Sequence, residues 1–388
     1  MIITPMIRNN VCMNAHPAGC EAQVRSQIEY AKAHPVENGP RSVLIIGAST
    51  GYGIASRIVA AYSAGAVTFG LFFERPGSEK RSGSAGWYNN RVFERATHDD
   101  GLAAYGVNGD AFSDEIKHRI VDLIREKTGT VDMVVYSLAS PMRIDPDTGI
   151  TYRSVIKPIG EPFEARTIAP ETGEVTKAHV EPATGEEIEA TVKVMGGEDW
   201  LRWIDLLNDE NVLAERTITM AYSYIGPSFT SGIYREGTIG TAKDHLEETA
   251  AAINGKLKNS GGRAFVSVNK ALVTKASAVI PVVPVYISAL YKVMKAKGIH
   301  EDCIHQIVRL FTERLYAPGE VPVDDKGRIR LDDLEMRRDV QTKVAHLMNE
   351  SADEELKEVI DFDGYWAAFL RFHGFGIEGV DYAADVEP

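Results

Sequence analysis

VLIIGASTGYGIASR, Val43 to Arg57, sets a run of apolar residues directly before three glycines spaced Gly-x3-Gly-x-Gly. A buried strand that runs into a glycine turn and then into a helix aims backbone N–H groups, and the positive end of the helix, at an anion such as a pyrophosphate. Gly47 permits the tight turn, and Gly51 and Gly53 let backbone or ligand come close. Such a turn also occurs as a plain strand-to-helix loop, so its meaning depends on what surrounds it.

The surroundings alternate. SVLIIGA reads as a strand, YGIASRIVAAYSA as a helix and AVTFGLFFE as a second strand, which makes a β-α-β unit. LAAYGVNGD follows as a third strand, DAFSDEIKHRIVDLIREKTG as a helix with an Asp/Ser start signal, and VDMVVYSLASP as another continuous apolar strand. Further on, ERTITMAYSYIGP and GRAFVSVNKALV flank the helical stretch TAKDHLEETAAAINGKLK. This alternation predicts parallel pairing in an α/β, Rossmann-type doubly wound sheet. Glu74 ends the second strand 21 residues after Gly53, where an acidic side chain meets adenosine ribose hydroxyls. Asp110 opens DAFSDE, where a carboxylate reaches an adenine amine.

One elaborated domain is expected. Residues 1–41 form an N-terminal extension, 42–142 and 196–298 the dinucleotide-binding and catalytic core, and 299–388 a helical C-terminal extension. Between them, 143–195 reads as an inserted polar flap in which the turns DPDTG, APETGE and PATGEE separate short strands. DDKGR, in the C-terminal part, is a turn without the ligand spacing of a calcium loop, and no metal signature is seen.

Composition narrows the function. A net charge of -13 argues against general binding to nucleic acid or anionic membrane, so an anionic partner must dock locally. Cys12, Cys20 and Cys303 are too scattered for a disulfide framework and suit a reducing cytoplasm. No signal-peptide pattern opens the chain. The longest apolar run, Ala278 to Tyr291, is too short to span a bilayer.

The glycine spacing resembles that of the short-chain dehydrogenase/reductase superfamily, whose catalytic pair is usually Tyr-x3-Lys. Here no good Tyr-x3-Lys is present; instead Tyr234 precedes Lys243 by nine positions in YREGTIGTAK. On one helix, nine residues turn through about 900°, which would put the two on opposite faces. Gly237 and Gly240 offer a break, so Tyr234 is expected before the helix and Lys243 in its first turns. Tyr-x8-Lys with GASTGYG, GWYNN (Gly86 to Asn90), GDAFSDE, YSLASP, MGGEDW, AYSYIG and LVTKASAVIP resembles the FabV-type trans-2-enoyl-CoA and enoyl-acyl-carrier-protein reductases. AHPAGC (Ala15 to Cys20) and GFGIEGVDY (Gly374 to Tyr382) extend the likeness over nearly the whole chain.

That resemblance implies NADH as cofactor, no metal, and an enoyl thioester of CoA or acyl carrier protein as substrate. It implies a cofactor lying on Gly47, Ala48, Ser49, Thr50, Gly51 and Tyr52, with Phe73 and Glu74 at the ribose and Asp110 and Ala111 at the adenine. Leu138 and Ala139 would neighbour the nicotinamide ribose, and Leu272, Val273 and Thr274 would close over the nicotinamide. Tyr224 would touch the substrate carbonyl, Tyr234 would donate the proton, and Lys243 would bind cofactor hydroxyls and lower the Tyr234 pKa. The chemistry suits these types, because hydride addition at the β-carbon of an enoyl thioester drives charge onto the thioester oxygen, where a positioned phenol stabilises it. A carbonyl reductase of the same superfamily and a non-catalytic NAD(H) sensor are the alternatives.

Two surface features complete the reading. ASAVIPVVPVYISALY, Ala276 to Tyr291, is a candidate wall for an acyl chain. Lys292, Lys295 and Lys297 beside it form a candidate docking face for an anionic carrier. The oligomeric state is open.

Overall fold

Val43, Leu44, Ile45 and Ile46 are all completely buried, which a strand manages only when both faces of its sheet are covered. The computed structural model describes residues 1–8, 11–169, 173–274, 277, 280 and 282–388. Pro170, Glu171 and Thr172 of the flap lie outside these residues, as do Lys275 and, from the expected acyl wall, Ala276, Ala278, Val279 and Pro281. The main sheet has seven strands: β1 (Ser42–Ile46), β2 (Val67–Phe72), β3 (Ala104–Asn108), β4 (Val131–Tyr136), β5 (Leu213–Ser223), β6 (Arg263–Val268) and β7 (Ile329–Arg330). Their order across the sheet is β7-β6-β5-β4-β1-β2-β3, and every pairing is parallel.

Alternation along β1 divides the core. Val43 and Ile45 face one layer with Met133, Met220 and Phe265, under the helices Pro17–Lys32, Gly51–Ile58, Ala85–Asp99 and Cys303–Arg309. Leu44 and Ile46 face the other with Trp200, Trp203 and Leu246, under the helices Asp114–Lys127, Glu198–Asp209 and Thr238–Leu257. A third apolar cluster joins Tyr234, Leu272 and Val273 to the helix Val283–Ala296 and the C-terminal helices Arg338–Glu350 and Phe362–Phe372. Among the described residues no helix is long and apolar enough to cross a membrane.

Two local readings differ from the structure. The flap holds antiparallel hairpins, Met142–Ile144 with Thr151–Arg153 and Phe163–Ile168 with Val175–Val180, but its PATGEE turn opens a helix, Gly185–Met195. Thr184 and Glu187 form a capping box there, a Thr-x-x-Glu signal hidden among turn residues. The C-terminal extension, expected to be helical, also adds β7 to the sheet; two residues are too few to show a strand period. The flap also anchors the segment that carries Tyr234, since Thr238 Oγ1 donates to the Val155 carbonyl at 2.6 Å and Thr238 N–H donates to the Lys157 carbonyl at 3.0 Å.

The turn before Thr238–Leu257 depends on a close approach. Gly240 N–H donates to the Tyr234 carbonyl at 2.9 Å, and a Cβ at Gly240 would lie 1.8 Å from the Arg235 carbonyl oxygen. At Gly255 in the same helix nothing lies within 4 Å of such a carbon. Gly240→Ala should therefore lower unfolding stability by about 1–3 kcal/mol. Gly255→Ala should raise it by up to about 1 kcal/mol. Urea unfolding of the two variants checks both signs.

Candidate functional site

Parallel strands bring all their carboxyl ends to one edge, and between β1 and β4 the winding reverses, which opens a crevice there. Every strand of the sheet delivers a candidate residue to this edge. Gly47 follows β1, Glu74 follows β2, Asp110 follows β3, Leu138 follows β4, Tyr224 follows β5 and Leu272 follows β6. Glu335 follows β7, and no motif in the sequence pointed to it.

The glycine loop has the geometry of a phosphate cradle. Gly47 (φ 89°) and Gly51 (φ 55°) both adopt left-handed backbone, and a Cβ at Gly47 would meet the Ser137 carbonyl oxygen at 2.4 Å. Gly53 serves the packing instead, since its α-carbon sits so closely under Gly47 that a Cβ would come within 1.9 Å of the Gly47 carbonyl oxygen. The N-cap of Gly51–Ile58, Thr50, makes no side-chain hydrogen bond to the helix; Gly53 N–H donates to the Thr50 carbonyl at 3.1 Å, which leaves the N–H groups of Gly51 and Tyr52 to face an anion. Thr274 reaches this loop from the far side, with its methyl 3.7 Å from where a Gly51 Cβ would stand. Tyr52 donates its phenol to the Lys270 carbonyl at 2.9 Å, tying the loop helix to the chain just after β6.

Glu74 and Arg75 point apart. Glu74 turns toward the loop, accepting from Ser49 Oγ at 2.7 Å, and its backbone exchanges hydrogen bonds with the Asn108 side chain at 2.9 and 2.8 Å. The Arg75 guanidinium instead donates to the Ser82 carbonyl at 3.3 Å and the Met13 carbonyl at 3.5 Å. Phe73 beside them is 77% exposed. Asp110 Oδ1 accepts from Phe112 N–H at 3.0 Å. The Ala111 carbonyl takes the buried Lys117 ammonium at 2.7 Å and the Trp203 indole at 3.2 Å, which sets the Asp110–Ala111 corner rigidly. Ala48 is buried beneath the loop, while Ala139 at the end of β4 is exposed. GWYNN, whose residues carried no assigned role in the sequence, supplies two supports: Asn89 Nδ2 donates to the Ser49 carbonyl at 3.1 Å, and a Cβ on Gly86 would strike the Glu74 carboxylate at 2.4 Å.

Tyr234 lies in the turns before the helix Thr238–Leu257, and Lys243 lies within it. Both are buried. Lys243 Nζ donates to the Tyr222 carbonyl at 3.2 Å, and burial holds its pKa down to about 8. Burial drives the Tyr234 phenol well above its usual value, with Arg235 the charge that opposes this. Desolvation of the phenolate is the larger of the two effects on Tyr234. The Tyr224 and Tyr234 rings meet edge to face, centroids 5.1 Å apart. Tyr224 donates its phenol to Glu335 at 3.2 Å, whereas no described residue takes the proton of Tyr234.

Other candidates resolve into structure. The expected basic face is largely neutralised, since Lys295 pairs with Asp361 and Lys297 with Asp339, each at 2.6 Å. His16 is an N-cap, its Nδ1 accepting from Gly19 N–H at 3.3 Å and its ring set against Tyr382. The three cysteines are free, and burial pushes the Cys20 thiol up to about 12. Among the described residues no His, Cys, Asp or Glu cluster could hold a metal ion.

Three family descriptions match successive parts of the chain: an NAD(P)H binding domain of trans-2-enoyl-CoA reductase at residues 2–79, a trans-2-enoyl-CoA reductase catalytic region at 81–316, and an enoyl reductase FAD binding domain at 323–386. The first fits the glycine cradle and Glu74. The third does not fit a flavin: Val340, Val344, Leu356, Tyr365 and Phe369 are consumed in the core against Val283–Ala296, and Arg337 is paired with Asp339 at 3.0 Å. A curated enoyl-[acyl-carrier-protein] reductase [NADH] of Flavobacterium johnsoniae is 57% identical over 99% of this chain and 97% of its own. A trans-2-enoyl-CoA reductase [NADH] of Ruminiclostridium cellulolyticum is 53% identical over 100% and 98%. Among solved structures, the Treponema denticola trans-2-enoyl-CoA reductase in complex with NAD superposes with a TM-score of 0.97 at 52% identity, covering 100% of this chain and 98% of that one. The Clostridium acetobutulicum enzyme in complex with NADH gives 0.97 at 47%, with the same coverage. With this fold, this cleft and these relatives, the chain belongs to the NADH-dependent trans-2-enoyl-CoA reductase family.

Proposed function

We propose that this chain reduces the trans-2,3 double bond of an enoyl thioester with NADH, using Tyr234 as proton donor. The observation that carries the assignment is the uncommitted phenol proton of Tyr234, on the turn before the helix that carries the buried Lys243, in a chain whose glycine loop and Glu74 stand at the carboxyl edge of the same sheet. When bound, NADH supplies a hydride, which the β-carbon of the substrate accepts. The residues handle the charge that this displaces. Tyr234 donates a hydrogen bond to the thioester oxygen as it becomes an enolate oxygen, and a proton then passes to the α-carbon. Its raised pKa keeps it protonated through neutral pH, so the donor is always loaded. Lys243, charged below about pH 8, binds cofactor hydroxyls and orients the nicotinamide side of the cleft. Tyr224 lines the substrate side, and Leu272, Val273 and Thr274 cover the cofactor. Free thiols support a reducing cytoplasm as the setting. Both CoA and acyl-carrier-protein names occur among the relatives, and rates with crotonyl-CoA against crotonyl-acyl carrier protein will rank the two carriers.

Oxidation of NADH by crotonyl-CoA, with none by acetoacetyl-CoA, separates this reading from a ketoacyl reductase, and a silent enzyme that binds NADH tightly would be a sensor. Tyr234→Phe should lose roughly a hundredfold or more in kcat while the NADH dissociation constant stays within about twofold, because only the proton donor is removed. Full turnover in that variant would remove Tyr234 from the chemistry.

Lys243 makes a pH prediction. Its charged form attracts the anionic cofactor, and in the free protein that form is present below about pH 8 and lost above it. NADH affinity should therefore weaken as pH rises through that value, and in Lys243→Met the affinity should be lower and flat across the same window. Fluorescence titration across about 1.5 pH units either side of that value measures both.

Glu74 sets cofactor choice. A carboxylate at the ribose repels the additional phosphate of NADPH across a few ångströms. Glu74→Ser should improve kcat/KM with NADPH while weakening NADH. The gain should be modest, since Arg75 is held by the Ser82 and Met13 carbonyls and must leave them to meet the phosphate. Equal use of both cofactors by the unaltered protein would show that Glu74 does not read the ribose.

A further inference from the structure

Five residues beyond β7, the carboxylate of Glu335 is completely buried. An unpaired carboxylate in such a place is very costly, so its partners matter. Oε1 accepts the Tyr286 phenol at 2.6 Å and the Tyr224 phenol at 3.2 Å, and Oε2 accepts Ala271 N–H at 2.7 Å. Gln341 completes the chain, with Nε2 donating to the Tyr286 oxygen at 3.2 Å and to the Glu335 carbonyl at 2.7 Å. Two of these contacts lead into the cleft: Tyr224 packs on the Tyr234 ring, and Ala271 immediately precedes Leu272, Val273 and Thr274.

A phenol has one proton to give. Glu335 takes that of Tyr224, and nothing described takes that of Tyr234. The two neighbouring tyrosines are therefore made unequal by a carboxylate that touches only one of them. We propose that Glu335 is a positioning residue for the reduction: by accepting the Tyr224 proton with one oxygen and the Ala271 N–H with the other, it fixes the Tyr224 ring against Tyr234, links the substrate side to the loop over the cofactor, and leaves Tyr234 as the free donor. This rests on the role given to Tyr234 above.

The test is a double-mutant cycle with crotonyl-CoA. In Glu335→Gln the amide oxygen can still accept from Ala271 N–H, while the amide nitrogen meets the phenols as a donor and reverses the bond to Tyr224. The variant should lose roughly tenfold or more in kcat with the NADH dissociation constant within about twofold. In a Tyr224→Phe background the same change should cost less than about twofold, because Glu335 acts through that phenol. An equal loss in both backgrounds, or no loss in either, overturns the proposal and leaves Glu335 as a core residue. If the unaltered enzyme is active and the losses are additive, only the role of Glu335 fails; if the unaltered enzyme is inactive, the reading of the site itself fails. Should Glu335→Gln not bind NADH, a crystal structure of the unaltered enzyme with NAD and butyryl-CoA decides. Tyr224 kept within hydrogen-bond distance of Glu335 supports the proposal, and Tyr224 turned away from it overturns it.

Discussion

The cleft exists because a helix is allowed to start almost in contact with the strand that feeds it. At Gly53 there is no room for even one more carbon against the Gly47 carbonyl, and that closeness directs the N-terminus of the helix Gly51–Ile58 at the crevice between β1 and β4. Any larger residue would push the helix outward and turn its dipole away from the anion. Much else is arranged around that contact: Asn89 holds the Ser49 carbonyl, Ser49 holds Glu74, and Gly86 leaves the space that the Glu74 carboxylate occupies.

The site divides its work between two sources. The carboxyl ends of the strands hold the cofactor side, because parallel pairing lines them up whatever the intervening helices do. The phenols are added from the far half of the sheet: Tyr224 from the carboxyl end of β5, Tyr234 from the turns that follow, and the carboxylate that contacts Tyr224 from beyond β7. Burial sets the acid–base properties of both catalytic candidates, raising the phenol of Tyr234 and lowering the ammonium of Lys243. Burial thus keeps the Tyr234 phenol protonated and makes the charge of Lys243 sensitive to mildly alkaline pH.

Much of this is legible in the chain. Six of the seven sheet strands carry enough apolar or β-branched residues to declare themselves, and Gly237 and Gly240 announce the break that seats Tyr234 before its helix. What stays hidden has a common cause, which is brevity or competing signals. β7 is two residues long, and the helix Gly185–Met195 begins inside a proline- and glycine-marked turn whose capping box is the weaker cue. The opposite burial shifts of Tyr234 and Lys243 are hidden for another reason, since spacing along a chain says nothing about desolvation.

Local order, and everything that follows from local order, was determined by the sequence alone: strand and helix period, the glycine turn, the acidic residue at the end of β2, and hence the parallel sheet and the kind of ligand at its edge. These are properties of neighbours within a few residues, which steric and hydrogen-bonding rules govern directly. Only the tertiary structure decided that Glu335 reaches Tyr224 across 111 residues of chain, that Lys295 and Lys297 are paired with the C-terminal helices, and that the Arg75 guanidinium is held by the Ser82 and Met13 carbonyls. Such contacts arise where separately specified elements are packed together, and the sign of an electrostatic effect there depends on how much water the packing excludes.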